Sequence, residues 1–174
     1  MPLTNQESSS AASPAAAVIP EMLDLPRPEC LRLLAAASFG RVAINGSLAP
    51  VLRPVNYVFD EPSQSVILRT AHGSKFHALL TSTRATFEID GTDPTGHTGW
   101  SVIVTGVTEE VTNPSQLRYL ATVGLDPWAP GFKGHWIRVR ATTVSGRRIV
   151  IAADPVPGTE REEHPLREAG VPRC

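Results

Sequence analysis

The sequence predicts a mainly β fold, a six-stranded β-barrel with a few short flanking helices. Six segments between residues 41 and 144 are rich in β-branched and aromatic residues, which favour strands. Turn residues at Asn45-Gly46 and across 60–63 separate the first three of these segments. Six strands with so few helices imply a barrel.

Length and composition indicate one domain. The 174 residues are 41% hydrophobic and 19% charged, with a formal net charge of -1, which disfavours a polyanion-binding role. We expect the folded domain to span 21–153, between a Ser/Ala/Pro-rich tail at 1–20 and a Pro/Glu-rich tail at 154–174. Neither a signal peptide nor a long apolar run is evident, so the sequence predicts a cytoplasmic protein with no membrane partner.

The first predicted element is a helix over 29–37. Pro26 and Pro28 precede or open it, and Leu31 and Leu34 recur at helical spacing. The six predicted strands then cover 41–44, 51–59, 66–70, 85–89, 100–111 and 136–144. Two helices interrupt them, over 74–80 and over 114–123, and Asn113 caps the second.

The fifth predicted strand is apolar on both faces. Trp100, Val102 and Val104 share one face, and Ile103 and Val107 share the other. One face would pack the barrel, while the other meets either a partner or a covering helix. Gly106 is expected to mark a bend or a bulge.

A small anion site is predicted where strand 66–70 ends and the next helix begins. Gly73, Ser74 and Lys75 follow Thr70 and His72, so backbone N–H groups, a hydroxyl and an ammonium group come together. This pattern suits a phosphate monoester but lacks the spacing of a P-loop. A capped surface turn with a solvated lysine is the alternative.

Neighbouring segments offer further ligand groups. Pro54 interrupts a strand, which suggests an edge or a site where backbone groups are free for a ligand, and Asn56 could hydrogen-bond a planar ring or face solvent. The five histidines (His72, His77, His97, His135 and His164) match no metal template, and Cys30 and Cys174 read as reduced thiols. No nucleophile with its base is apparent, so any chemistry requires a cofactor.

Taken in order, these segments resemble the flavin-binding split β-barrel family related to pyridoxamine 5'-phosphate oxidase, in its actinobacterial-type branch. The resemblance covers about residues 21–151. It is carried by Pro54-Val55-Asn56-Tyr57, Arg69-Thr70-Ala71-His72-Gly73-Ser74-Lys75, Phe87-Glu88-Ile89-Asp90, Gly99-Trp100-Ser101-Val102, Pro127-Trp128-Ala129-Pro130-Gly131 and Ser145-Gly146-Arg147-Arg148-Ile149.

The resemblance implies a homodimer with FMN at the subunit interface. It implies that the edge of the isoalloxazine is lined by Arg53, Pro54, Val55 and Asn56. It implies that the ribityl phosphate is held by Arg69, Thr70, Ser74 and Lys75. The residues that would approach the ring are Trp100, Ser101 and Val102, and those that would reach the flavin bound mainly by the other subunit are Trp128, Trp136 and Arg147.

The activity that the resemblance implies is an FMN-dependent oxidoreductase that passes electrons from a reductant to a small organic acceptor. The pyridoxal-producing oxidases carry a C-terminal arginine- and histidine-bearing segment that grips the substrate phosphate, whereas the tail after Ile151 is rich in Pro and Glu, which argues against vitamin B6 oxidation. A reductase using the deazaflavin F420 is an alternative, although few basic residues adjoin the phosphate site. A non-catalytic flavin-binding or storage protein and a purely structural interaction module are the others.

Overall fold

The computed structural model describes residues 19–45 and 49–152. Residues Pro20–Ile151 form one compact unit. In chain order the described elements are β1 (Ile19–Asp24), α1 (Arg27–Ala36), β2 (Phe39–Ile44), β3 (Val51–Asp60), β4 (Ser65–Thr70), α2 (Ser74–Ser82), β5 (Arg84–Asp93), β6 (Thr98–Glu110), α3 (Pro114–Leu120) and β7 (His135–Ala152).

Six of these strands close into an antiparallel barrel. Their order is β7-β4-β3-β2-β5-β6, and β6 pairs with β7 to complete the ring. The prediction of a mainly β, six-stranded barrel with three short helices is therefore confirmed. The strand β1, which adds to β7 outside the ring, was not predicted, because all six of its residues are exposed and show no buried alternation.

The long strand β7 joins the two edges of the barrel. Its first residues pair with β4, from Thr70 opposite His135 to Ser65 opposite Arg140, and its stretch from Ile137 to Ile149 pairs with β6. The β6–β7 register shifts between Thr105 and Gly106. A Cβ atom at Gly106 would collide with the backbone of Arg140, so the predicted bulge is confirmed with a steric reason for glycine.

Two buried hydroxyl groups tie helices to the barrel. Tyr57 Oη donates to the Leu34 carbonyl of α1 at 2.7 Å, and burial raises the pKa of this phenol. Thr108 Oγ1 donates to the Leu79 carbonyl of α2 at 2.6 Å. Cys30 of α1 lies in the core as a free thiol whose pKa is raised by burial. The helices are thus integral to the core.

The three predicted helices are found with shifted ends. The last one stops at Leu120 instead of residue 123, and Asn113 Oδ1 accepts hydrogen bonds from the backbone N–H groups of Ser115 and Gln116, as expected of its cap. Among the described residues, no helix has the length and apolar character needed to cross a bilayer. The predictions for 1–18, 46 and 154–174 lie outside the described residues.

Candidate functional site

Half of β3 has a strand neighbour on one side only. The β3–β4 pairing covers Tyr57 to Asp60, whereas Val51 to Asn56 pair with β2. Pro54 lies in this second half, opposite Arg41 of β2. Among the described residues no strand continues the sheet beside it. The predicted local edge at Pro54 is therefore confirmed, and it leaves room for other groups.

The loop between α3 and β7 folds against this edge. The backbone N–H of Trp128 donates to Asn56 Oδ1 at 2.9 Å, and the indole stacks on Phe39 with ring centroids 5.5 Å apart and planes 7° apart. Trp128 is nevertheless 71% exposed. The edge and the loop enclose a cavity of about 210 Å³, whose lining residues are Phe39, Pro54, Val55, Asn56, Arg69, Pro127, Trp128, Ala129 and Lys133.

Arg69 fixes the other end of this loop. Its Nε and Nη2 atoms donate to the Lys133 carbonyl at 3.1 and 2.9 Å, and its guanidinium lies 4.8 Å from the ring centroid of Trp136. Lys133 Nζ donates to the Pro130 carbonyl at 2.7 Å. The cavity lining thus carries two cationic residues and no carboxylate. Such a cavity favours a ligand with apolar faces and negative charge.

The turn from β4 into α2 lies next to Arg69 along the chain. Thr70 is buried, and its hydroxyl donates to the Ala71 carbonyl at 3.1 Å. Gly73 has φ +156°, a conformation that L side chains rarely adopt, and a Cβ there would meet nothing within 4 Å. Ser74 and Lys75 begin α2, and no side chain in the described part of the chain caps its first N–H groups. The predicted anion site is thus an open helix start.

Three histidines that are scattered in the sequence, His72, His77 and His135, lie close together in the structure. The ring centroid of His72 is 4.6 Å from that of His77 and 5.8 Å from that of His135, whose Nδ1 is 2.7 Å from Glu110 Oε1. The pairing of β4 with β7 brings His135 there. Within 19–45 and 49–152, no group of three His, Cys, Asp or Glu side chains could hold a metal ion.

The remaining predicted residues lie across the barrel on β6. Two strands separate β3 from β6 in either direction around the ring. Val102 is fully buried in the core, and Trp100 packs over Gly91, where a Cβ would be 2.7 Å from the indole nitrogen. Ser101 lies instead in a surface groove of about 720 Å³, together with Ile103 and Arg147.

The structure thus divides the predicted site residues into two groups. One cavity is lined by Pro54, Val55, Asn56 and Arg69. Arg53 precedes them on β3, and its Nη1 donates a hydrogen bond to the Leu52 carbonyl at 3.2 Å. Thr70, Ser74 and Lys75 follow in the adjacent turn. The second group consists of Trp100, Ser101 and Val102 on β6.

The loop residues show what sequence reasoning can miss at such a site. Trp128 and Trp136 contact Asn56 and Arg69 of their own chain, whereas Arg147 lies near Asp24. Sequence reasoning missed Phe39 and Lys133. Phe39 lies between the first predicted helix and the first predicted strand, and a lone lysine in a Pro/Gly-rich loop carries no local signal.

The fold and the cavity define a small β-barrel protein with an apolar-walled cavity that carries two cationic residues. The family model described as pyridoxamine 5'-phosphate oxidase matches residues 26–148. That match covers well over half of the chain, and the chain therefore belongs to the pyridoxamine 5'-phosphate oxidase family. The family resemblance seen in the sequence is confirmed.

Individual relatives support this assignment. An uncharacterized protein of Mycobacterium tuberculosis is 35% identical over 147 residues, which cover 82% of this chain and 93% of the relative. A solved FAD binding protein from Mycobacterium smegmatis is 33% identical with a TM-score of 0.60, covering 72% of this chain and 98% of that one. A conserved protein of unknown function from Corynebacterium diphtheriae is 30% identical with a TM-score of 0.63, covering 74% and 98%.

Proposed function

We propose that this protein binds FMN between two copies of the chain and acts as an FMN-dependent oxidoreductase, passing electrons from a reductant to a small organic acceptor. The observation that carries the proposal is the cavity beside the half-paired strand β3. It combines apolar walls, an amide and two cations, and an open helix start follows Arg69 by five residues. A planar ring with a phosphate tail needs these groups in combination.

The residues present fit a flavin mononucleotide. The backbone of Pro54 to Asn56 and the Asn56 carboxamide suit the polar edge of the isoalloxazine, and the wall formed by the stacked Phe39 and Trp128 suits its apolar ring. The open space at Gly73 leaves the first N–H groups of α2 accessible to a phosphate. A bound flavin would supply the redox chemistry, and the protein would supply position and charge.

Two copies of the chain are required if all the residues implied by the family resemblance serve one flavin. Residues on β3 and β6 lie two strands apart in either direction around one barrel, so outward-facing groups on these two strands do not share one surface. The outer face of β6 presents Ile103, which is 40% exposed, and α2 reaches β6 at Thr108 instead of covering Ile103. We therefore place the second copy against this face, where Ser101 would face the flavin of its partner.

FAD is a second candidate cofactor, favoured by a specific relative. The Mycobacterium smegmatis protein that is 33% identical over most of its length is named as an FAD binding protein. FAD would occupy the same ring cavity and the same helix start as FMN. Its second phosphate would need further polar or cationic groups near the start of α2. The imidazole N–H groups of His72 and His77, whose ring centroids lie 4.6 Å apart, would offer hydrogen-bond donors to that phosphate.

The deciding experiment is equilibrium binding of FMN, FAD and F420 to the purified full chain, followed by desalting and an absorbance spectrum. We expect the flavin bands to remain with FMN, and steady-state turnover with NAD(P)H and a panel of acceptors to show oxidoreductase activity. Retention of FAD alone would change the cofactor, and retention of F420 alone would indicate the deazaflavin reductase. Flavin retention without turnover would indicate a binding or storage protein, and no retention would overturn the proposal.

A further inference from the structure

The carboxamide of Asn56 has a defined orientation. The backbone N–H of Trp128 lies 2.9 Å from one of its terminal atoms. A backbone N–H can only donate, so that atom must be the carbonyl oxygen, Oδ1. The other half of the carboxamide, the NH₂ group, is a donor, and Asn56 lines the cavity. The site therefore has an amide with a known donor side.

The loop that imposes this orientation is held at several points. The Trp128 indole stacks on Phe39, and the far end of the loop is fixed by the two hydrogen bonds from Arg69 to the Lys133 carbonyl. Gly131, with φ +89°, supplies a left-handed residue between these contacts. Because both ends are anchored, the Trp128 N–H is held against Asn56.

We propose that Asn56, oriented by Trp128, donates a hydrogen bond to the bound flavin ring and thereby raises its reduction potential. This inference rests on the proposed function. Uptake of two electrons and one proton from a reductant leaves the reduced ring with one negative charge, carried mainly by its pyrimidine portion. A donor interacts more strongly with a charged acceptor than with a neutral one, so it favours the reduced form. Asn56 contacts the cofactor, and Trp128 is its positioning residue.

The test uses the full chain loaded with FMN, and its readout is the midpoint potential from an equilibrium titration with a redox dye. Asn56→Asp keeps an acceptor for the Trp128 N–H but replaces the NH₂ donor with oxygen. We expect the reduced flavin to lose at least about tenfold more affinity than the oxidised flavin, which lowers the potential of this two-electron couple by about 30 mV. Asn56→Leu, a neutral variant of similar size, should lower it in the same direction.

The matched control is Asn113→Asp, which makes the same chemical change at the cap of α3, where aspartate also caps well. It should leave the potential unchanged. Trp128→Pro removes the N–H and should lower the potential below that of Trp128→Phe, which keeps the N–H while also changing the ring. If the wild type retains no flavin, the proposed function fails. If it retains flavin but Asn56→Asp and Asn56→Leu give the potential of Asn113→Asp, only the inference fails.

Discussion

The two sides of the barrel differ in how their surfaces are built. On the β3 side, the chain folds its own loop over the sheet and forms a cavity lined by cationic and aromatic residues. On the β6–β7 side, the groove around Ser101, Ile103 and Arg147 is wider, and exposed apolar side chains interrupt its polar surface. The first surface has the features of a ligand site, and the second has those of a contact between proteins. The predictions below test this division of roles.

The largest effect is expected on the β6–β7 side. Ile103→Arg would place a charge at the proposed contact, twice in a symmetric pair, and like charges brought together cost several kcal/mol. We expect association of the two copies to weaken by about a hundredfold or more. Sedimentation velocity should show a monomer that has also lost its flavin, since half of the site would come from the partner.

The control for this experiment adds the same charge elsewhere. Gln116 lies on the exposed surface of α3. The variant Gln116→Arg should therefore leave both the oligomeric state and the flavin content unchanged. A fully dimeric, flavin-loaded Ile103→Arg protein would place the second copy on another face. A monomeric protein that still binds flavin tightly would mean that the β3 side is a complete site.

The next effect belongs to the cavity side. Lys75→Ala removes the cation at the start of α2, and a charge-assisted contact contributes roughly 1.5–3 kcal/mol. We expect the Kd for FMN to rise about tenfold to a hundredfold, measured by fluorescence titration. Arg118→Ala, on α3, is the control for loss of one positive charge. An unchanged Kd for Lys75→Ala would remove the helix start from the site.

The sequence predicted the β3 side of this division better than the β6–β7 side. Gly73, Ser74 and Lys75 are consecutive, so the pattern of a strand, a glycine and a helix start predicted the turn into α2 directly. Pro54 likewise revealed the half-paired strand through its missing donor. Features made by residues close in sequence can be predicted because their geometry is local.

The parts that could not be predicted depend on distant pairings. The bond between Trp128 and Asn56 joins residues 72 positions apart, and Lys133 accepts from Arg69 across 64 positions. No periodicity encodes either contact. Trp100 and Val102 share the apolar pattern expected of their strand, but alternation alone could not show that Val102 lies in the core while Ser101 faces out beside Arg147. That assignment required the register of the closed barrel.

A smaller effect distinguishes two roles for Arg69. The family resemblance gives it the phosphate, whereas its observed hydrogen bonds hold the Lys133 carbonyl. Arg69→Lys keeps the charge but loses the planar guanidinium that donates twice, and Arg69→Met loses both. If the loop contact dominates, both variants should lose about 1–2 kcal/mol of unfolding free energy in a urea titration without flavin. A stable Arg69→Lys protein would instead favour the phosphate role.

The smallest effect is a pH dependence located on the β6–β7 side. Hydrogen bonds from Arg32, and then from Arg148 of β7, lower the pKa of the Glu29 carboxyl from 4.5 to about 2. A carboxyl whose pKa is lowered by folding stabilises the protein above its unfolded pKa, and that contribution disappears as the pH falls from about 4.5 toward 2. Glu29→Gln should therefore have a slightly lower Tm than the wild type at pH 6, and the difference should vanish near pH 2.

The Kd of Glu29→Gln for FMN at pH 7 should match that of the wild type, because Glu29 contacts β7 through Arg148 and does not line the β3 cavity. A Tm difference that persists unchanged at low pH would show that the glutamine acts through packing instead of charge.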